Sequence, residues 1–261
     1  MALFTYIVLL AILNITLAED CVINNVPERM AFEKQLRKDL RGHDFRLTPP
    51  NNSSDFTVNV RFSLRKFDFD SDAGVMTLHT WTFMRWKDER LKWDPEKYYG
   101  ITETEMMSIY TWYPGIRLFN SADSHDLDRY YYSWCSIKNT GDVRCRKKST
   151  YDAICSVKLR DWPYDQQQCS FEVGAWKSDH FIINSTSRAL TMWVAAYGTE
   201  WTITDYRQEL NSSFERQLKM FLTLDREAAG LGGIVVYPAA ILSVLSVTMY
   251  FTLVPKPIPF N

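Results

Sequence analysis

From Phe56 the hydrophobic positions fall on every second residue. Phe56, Val58, Val60, Phe62 and Leu64 alternate with polar neighbours, the pattern of a strand with one buried face. Asp70-Ser71-Asp72-Ala73-Gly74 is a turn, and Val75 to Trp86 reads as the return strand of a hairpin. Upstream, Glu28 to Leu40 places Met30, Leu36 and Leu40 among charges, which predicts a short surface helix. Pro49-Pro50-Asn51-Asn52-Ser53-Ser54 then interrupts the chain. Short strands and turns continue to about Arg226, with no sustained helical period and no internal repeat. The pattern predicts a mainly β fold, a β-sandwich with an N-terminal helix.

Two apolar runs stand outside this pattern. Met1 to Ala18 has the length and the small terminal residues of a secretory signal peptide, but lacks an early Lys or Arg. An N-terminal anchor helix is the other reading, for which the run is short. Ala228 to Val254 carries no charge and is bounded by Glu227 and Lys256. It is long enough to cross a bilayer, and a membrane helix tolerates Pro238 inside it. The expected organisation is a signal peptide at 1–18, a sandwich domain at 19–227, a transmembrane helix at 228–254 and a Pro-rich tail at 255–261.

The chain has 261 residues, is 46% hydrophobic and 15% aromatic, and carries a formal net charge of -1. A near-balanced charge argues against a nucleic-acid partner. Four Asn-x-Ser/Thr sequons, at Asn51, Asn52, Asn184 and Asn211, agree with a secretory route and are candidate glycosylation sites. That route makes disulfides the default reading of the cysteines. Cys135 and Cys145 flank Asn139-Thr140-Gly141, a three-residue hairpin turn that would set the two cysteines opposite each other. A bridge from Cys155 to Cys169 would close a 15-residue loop, worth about 3 kcal/mol in the chain-entropy model. Cys21 is left over, free or paired between chains.

Histidines 43, 79, 125 and 180 show no metal-ligand spacing, and no Ser/His/Asp or Gly-rich phosphate signature is present. An enzyme is therefore disfavoured and no cofactor is expected.

Trp162-Pro163-Tyr164-Asp165-x-Gln167-x-Cys169 resembles the loop centre of nicotinic acetylcholine receptor subunits, members of the pentameric Cys-loop ligand-gated channels. Trp81-x-x-x-x-Trp86-x-Asp88-x-x-Leu91-x-Trp93 resembles their second-strand block. Trp112-x-Pro114, then Phe119-Asn120-Ser121-Ala122-Asp123, resembles the stretch carrying their first ligand loop, and Gly174-Ala175-Trp176 their second. Arg226 stands where they keep an arginine ahead of the first membrane helix. The resemblance implies a pentamer, homomeric or heteromeric with other Cys-loop subunits, of extracellular sandwiches in a plasma membrane, at the postsynaptic side of a synapse. It implies a small cationic neurotransmitter held between two subunits by aromatic rings, whose attraction for a desolvated cation is worth up to about 2 kcal/mol. By position, Phe119, Trp176 and Tyr206 would belong to the principal face and Trp81 to the complementary one. Trp162, Pro163, Tyr164 and Asp165 would couple the sandwich to the membrane domain, with Asp165 and Arg226 in one charge network.

The departures are as informative. The region from Glu200 to Phe221 is short and holds no adjacent cysteine pair, Gly115 stands where the first loop keeps an Asp, and Phe119 replaces a tyrosine. These features point to a non-alpha subunit. If Cys135 pairs with Cys145, Arg144, with Arg146 beside it, lies on the hairpin face that in the family looks into the ligand box; either these arginines pair with acids of the neighbouring subunit or acetylcholine is not the ligand, with an anionic or zwitterionic ligand a third reading and a solvated basic rim the plain one. The sequence stops at Asn261 after one membrane helix, and the family lines its pore with the second. A fragment, a truncated decoy or assembly modulator, and a tethered binding protein all fit this. A single-pass adhesion protein built on a generic sandwich is the alternative outside the family.

Overall fold

The computed structural model describes residues 26–41, 48–50, 56–122, 133–175, 182–184, 189–192, 200–211 and 217–253. The signal-peptide expectation, Cys21, Asn51, Asn52, Trp176 and the tail from residue 255 lie outside the described residues.

Helix α1 spans residues 26–41 and buries Leu36 and Leu40. Eleven strands are described: β1 Thr57–Asp70, β2 Val75–Lys87, β3 Glu103–Met107, β4 Ile116–Leu118, β5 Trp134–Lys138, β6 Asp142–Ile154, β7 Gln166–Ala175, β8 Ile182–Asn184, β9 Leu190–Met192, β10 Trp201–Asn211 and β11 Gln217–Arg226. They form two sheets. The first runs β3-β5-β6-β2-β1-β8, with β9 also on β1; the second runs β10-β11-β7-β4.

The period-two pattern does the sorting. In β1, Val58, Val60, Phe62 and Leu64 are buried, and in β2 so are Met76, Leu78, Thr80, Thr82, Met84 and Trp86. The β1–β2 hairpin is antiparallel from Asn59↔Arg85 to Asp70↔Val75, with one irregularity between Leu64 and Lys66 that keeps Phe67 and Phe69 inward beyond it. The second sheet turns Phe171, Val173, Leu218, Met220, Leu222 and Leu224 toward the first. Phe62 and Phe171 meet edge-on at 5.3 Å across the interface, and Tyr151 packs edge-on against both. Edge-to-face rings stabilise such a core beyond their buried area.

Two disulfides fasten the sandwich. Cys135 and Cys145 face each other in the β5–β6 register, their Cα atoms 4.2 Å apart. Gly141, at φ 82°, makes the turn, and a side chain there would come within 2.5 Å of the Asp88 carbonyl oxygen. Cys155 and Cys169, with Cα atoms 5.0 Å apart, tie the end of β6 to β7.

Beyond Arg226 the chain leaves the sandwich. Helix α2 (Ala228–Leu231), a π-helical segment (Gly232–Val236) and α3 (Tyr237–Leu253) form one path. From Ala228 to Thr252 it is long and apolar enough to cross a membrane. Its Ser and Thr hydroxyls bond back to the helix, as Ser243 does to the Ala239 carbonyl at 2.7 Å, which is how such groups are satisfied in an apolar helix.

Candidate functional site

Two regions carry the chemistry. The first lies where the sandwich joins the apolar helix. Arg226 ends β11 and Asp165 precedes β7, 61 residues earlier. The Arg226 Nε donates to Asp165 Oδ1 at 2.7 Å and an Nη to Oδ2 at 3.3 Å, a two-point contact. The same guanidinium bonds Glu200 and lies over the Trp201 indole, 4.2 Å from its centroid. Both partners of the Arg226–Asp165 pair are nearly closed to solvent.

Burial pushes the Asp165 carboxyl up, but hydrogen bonds from Arg226 and Gln167 outweigh it and hold the group below its ordinary range. Gln167 is the hub of the loop base. Its Nε2 donates to Asp165 Oδ2 at 2.6 Å and to the Lys158 carbonyl at 2.8 Å, while its Oε1 accepts the Lys158 N–H at 2.9 Å. The Cys155 N–H donates to the Gly74 carbonyl at 2.8 Å, which joins the loop to the β1–β2 turn. Pro163 is buried, while Trp162 and Tyr164 on either side are exposed.

The second region is the outer face of the first sheet. Alternation along β6 sends Cys145 inward and Arg144, Arg146 and Lys148 outward. Register then sets Lys148 opposite Trp81, Arg146 between Phe83 and Trp134, and Arg144 between Arg85 and Ser136. The Lys148 ammonium stands over the Trp81 ring, 5.1 Å from its centroid, and the Arg61 guanidinium over Phe83 at 5.4 Å. Of the acids nearby, Glu103 accepts from Ser136 and Asp142 meets Arg85 at 3.6 Å, while Glu105 lies across β5 from Arg144 in register with Ser136. Arg144 and Arg146 are exposed and make no ion pair among the described residues.

The other candidates are scattered. Phe119 is half-open to solvent at the end of β4, and its ring covers Gly174 so closely that a Cβ there would fall 2.4 Å away. Asn120 stitches the strands beneath it, donating to the Ser170 carbonyl at 2.9 Å and accepting the Glu172 N–H at 3.2 Å. Tyr206 packs against the core, and its hydroxyl donates to Gln208 Oε1 at 2.7 Å while accepting the Leu190 N–H at 3.2 Å. That hydroxyl ties Leu190 of β9 to β10. Asn184 is exposed on β8, and Asn211 closes β10 opposite Gln217.

Sequence reasoning did not single out Lys148, Glu200 or Trp201. Lys148 was within its reach, because burial of Cys145 forces every second residue of β6 outward. Glu200 and Trp201 gave no signal before the β10–β11 register aligned Trp201 with Arg226.

Residues 33–227 match the neurotransmitter-gated ion-channel ligand binding domain. The chain is 32% identical over 183 residues to human neuronal acetylcholine receptor subunit alpha-4, covering 67% of this chain and 28% of that subunit. It is 32% identical over 130 residues to goldfish (Carassius auratus) neuronal acetylcholine receptor subunit beta-2, covering 49% and 28%. Against chicken (Gallus gallus) subunit alpha-4 it is 27% identical over 245 residues, covering 85% and 37%. The chain thus spans about a third of the length of the curated relatives it matches. With the family match running over most of the sandwich, this chain belongs to the neurotransmitter-gated ion-channel ligand-binding domain family.

Proposed function

We propose that this chain is an acetylcholine-receptor-like subunit of a neurotransmitter-gated channel, anchored in the plasma membrane through residues 228–254 with its sandwich outside. It assembles with other Cys-loop subunits into a pentamer and contributes a complementary face rather than an agonist-binding principal one. It acts as a receptor, not an enzyme. Its coupling element is the loop base: a movement of β10–β11 reaches Asp165 through Arg226, and Arg226 lies two residues before the apolar helix. The observation that carries this reading is the closed Arg226–Asp165 pair at 2.7 Å at the junction of sandwich and helix. A buried guanidinium is retained where its acid is fixed, because loss of either partner leaves an uncompensated charge.

The complementary face is retuned. The Trp81 ring, which in this reading would take a quaternary ammonium, already carries the Lys148 ammonium. A cationic ligand must displace Lys148 and approach Arg144 and Arg146, so this face selects against unaccompanied cations. Phe119 and Trp176 remain the principal-face candidates, and Asn184, Asn211, Asn51 and Asn52 the glycosylation candidates.

The test is assembly. The full chain is expressed in membranes alone and beside neuronal acetylcholine receptor subunits, and native mass is measured after mild solubilisation. A five-fold species containing the chain is expected. A monomer under both conditions, indifferent to small amines, would instead favour a single-pass interaction protein.

A further inference from the structure

Asn120 lies just beyond β4, next to Phe119, and is half-buried. Its Nδ2 donates to the Ile154 carbonyl at 3.2 Å and to the Ser170 carbonyl at 2.9 Å. Its Oδ1 accepts the Glu172 N–H at 3.2 Å, and its own carbonyl accepts the Ile154 N–H at 2.8 Å. Ile154 ends β6 in the first sheet and precedes Cys155. Ser170 lies in β7 of the second sheet and follows Cys169. One side chain thus holds both stems of the Cys155–Cys169 loop, each at the residue beside its cysteine. The contacts use both amide hydrogens and the amide oxygen; an Asp of the same shape has no N–H to give, and a Ser has a single donor.

The same contacts reach Phe119. Its N–H donates to the Glu172 carbonyl at 2.8 Å, so Phe119 and the Asn120 amide hold Glu172 of β7 from both its carbonyl and its N–H. The Phe119 ring lies against Gly174, farther along β7. Its place is therefore set by β7 and, through Asn120, by the end of β6. Gln167, which fastens the loop base at Asp165 and Lys158, lies in the same strand, about 10 Å before Ser170. Packed, hydrogen-bonded chains of this kind can carry energetic coupling between sites. We propose that Asn120 is a positioning residue that ties the Phe119 ring to both stems of the Cys155–Cys169 loop, so that a displacement at the loop base reaches the ring through this amide. What the tie transmits rests on the reading of Phe119 as a ligand contact and of the loop base as the coupling element. The tie itself does not.

The experiment uses the full chain in phosphatidylcholine nanodiscs, with 4-fluorophenylalanine in place of Phe119 and, in a second sample, in place of Phe221. Phe221 pairs with Ser170 in the β11–β7 register and feels β7 directly, without Asn120. The loop base is perturbed by Gln167→Ala, and the fluorine shift is read with Asn120 present, with Asn120→Ser and with Asn120→Asp. Asn120→Asp keeps the size of the side chain and its acceptor and removes both donors. Gln167→Ala is expected to shift the resonance at 119 when Asn120 is present. That response should be lost in both variants, while the response at 221 persists. A side chain that only stabilises the fold would leave the response to Gln167→Ala intact. A response at 119 that survives in either variant, or no response at 119 with Asn120 in place, overturns the proposal. The measurement needs neither ligand nor partner subunit. A failed five-fold assembly therefore strikes the receptor reading and leaves the tie standing, and a missing tie leaves the assembly reading untouched.

Discussion

At the membrane end Arg226 is 4% exposed and is held by Asp165, Glu200 and the Trp201 ring. On the outer face of β6, Arg144 and Arg146 stand in solvent without an ion pair among the described residues, and Lys148 rests on Trp81. Both regions are built from cations beside tryptophan, yet their energetics differ. A closed guanidinium depends on its partners, since removal of one leaves a desolvated charge. An exposed cation is stabilised by water and loses little when its neighbour changes. The first arrangement resists substitution. The second can change with little cost to the fold.

The largest test of that contrast is Asp165→Ala. It strands Arg226 with Glu200 and should cost about 3–5 kcal/mol, read as a lower unfolding midpoint and reduced surface expression. Asp165→Asn keeps the shape and tests the charge alone. Because the Asp165 carboxyl is held below its ordinary value of 3.8, its stabilisation is complete above that pH and is lost as pH falls through the lower folded value. A thermal melt followed from pH 6 to pH 2 should fall less steeply for Asp165→Asn than for wild type.

Next in size is loss of the loop bridge. Cys155→Ser with Cys169→Ser opens a cross-link with a sequence separation of 14 and should cost about 3 kcal/mol by denaturant titration. Gly141→Ala, at φ 82° and against the Asp88 carbonyl, should cost about 1–3 kcal/mol and loosen the hairpin that presents Arg144. The smallest effect on stability, within about 0.5 kcal/mol, belongs to Lys148→Gln. In assembled receptor the same change should raise affinity for tetramethylammonium about tenfold, as the Trp81 face opens.

How much of this was legible in the sequence follows from the range of each interaction. Alternation from Phe56 and the turn at Asp70–Gly74 specified the β1–β2 hairpin, because strand period and turn chemistry are local. The Asn139-Thr140-Gly141 turn set the β5–β6 register, and with it the Cys135–Cys145 bridge and the outward side of Arg144. Strands β8 and β9, three residues each and parallel to β1, were not legible, since no turn joins them to their partner. The Arg226–Asp165 pair was reached only through family resemblance, as nothing local links residues 61 apart. The placement of Tyr206, half-buried against the core with its hydroxyl on Gln208 and Leu190, was likewise not legible, since it depends on β9 and β10 meeting.

The most direct measurement is a pair of double-mutant cycles on the stability of the full chain, one for Asp165→Asn with Arg226→Gln and one for Trp81→Ala with Lys148→Gln. The account predicts a coupling of about 2–3 kcal/mol at the closed pair and under about 0.5 kcal/mol at the exposed one. Couplings equal within about 0.5 kcal/mol would contradict it.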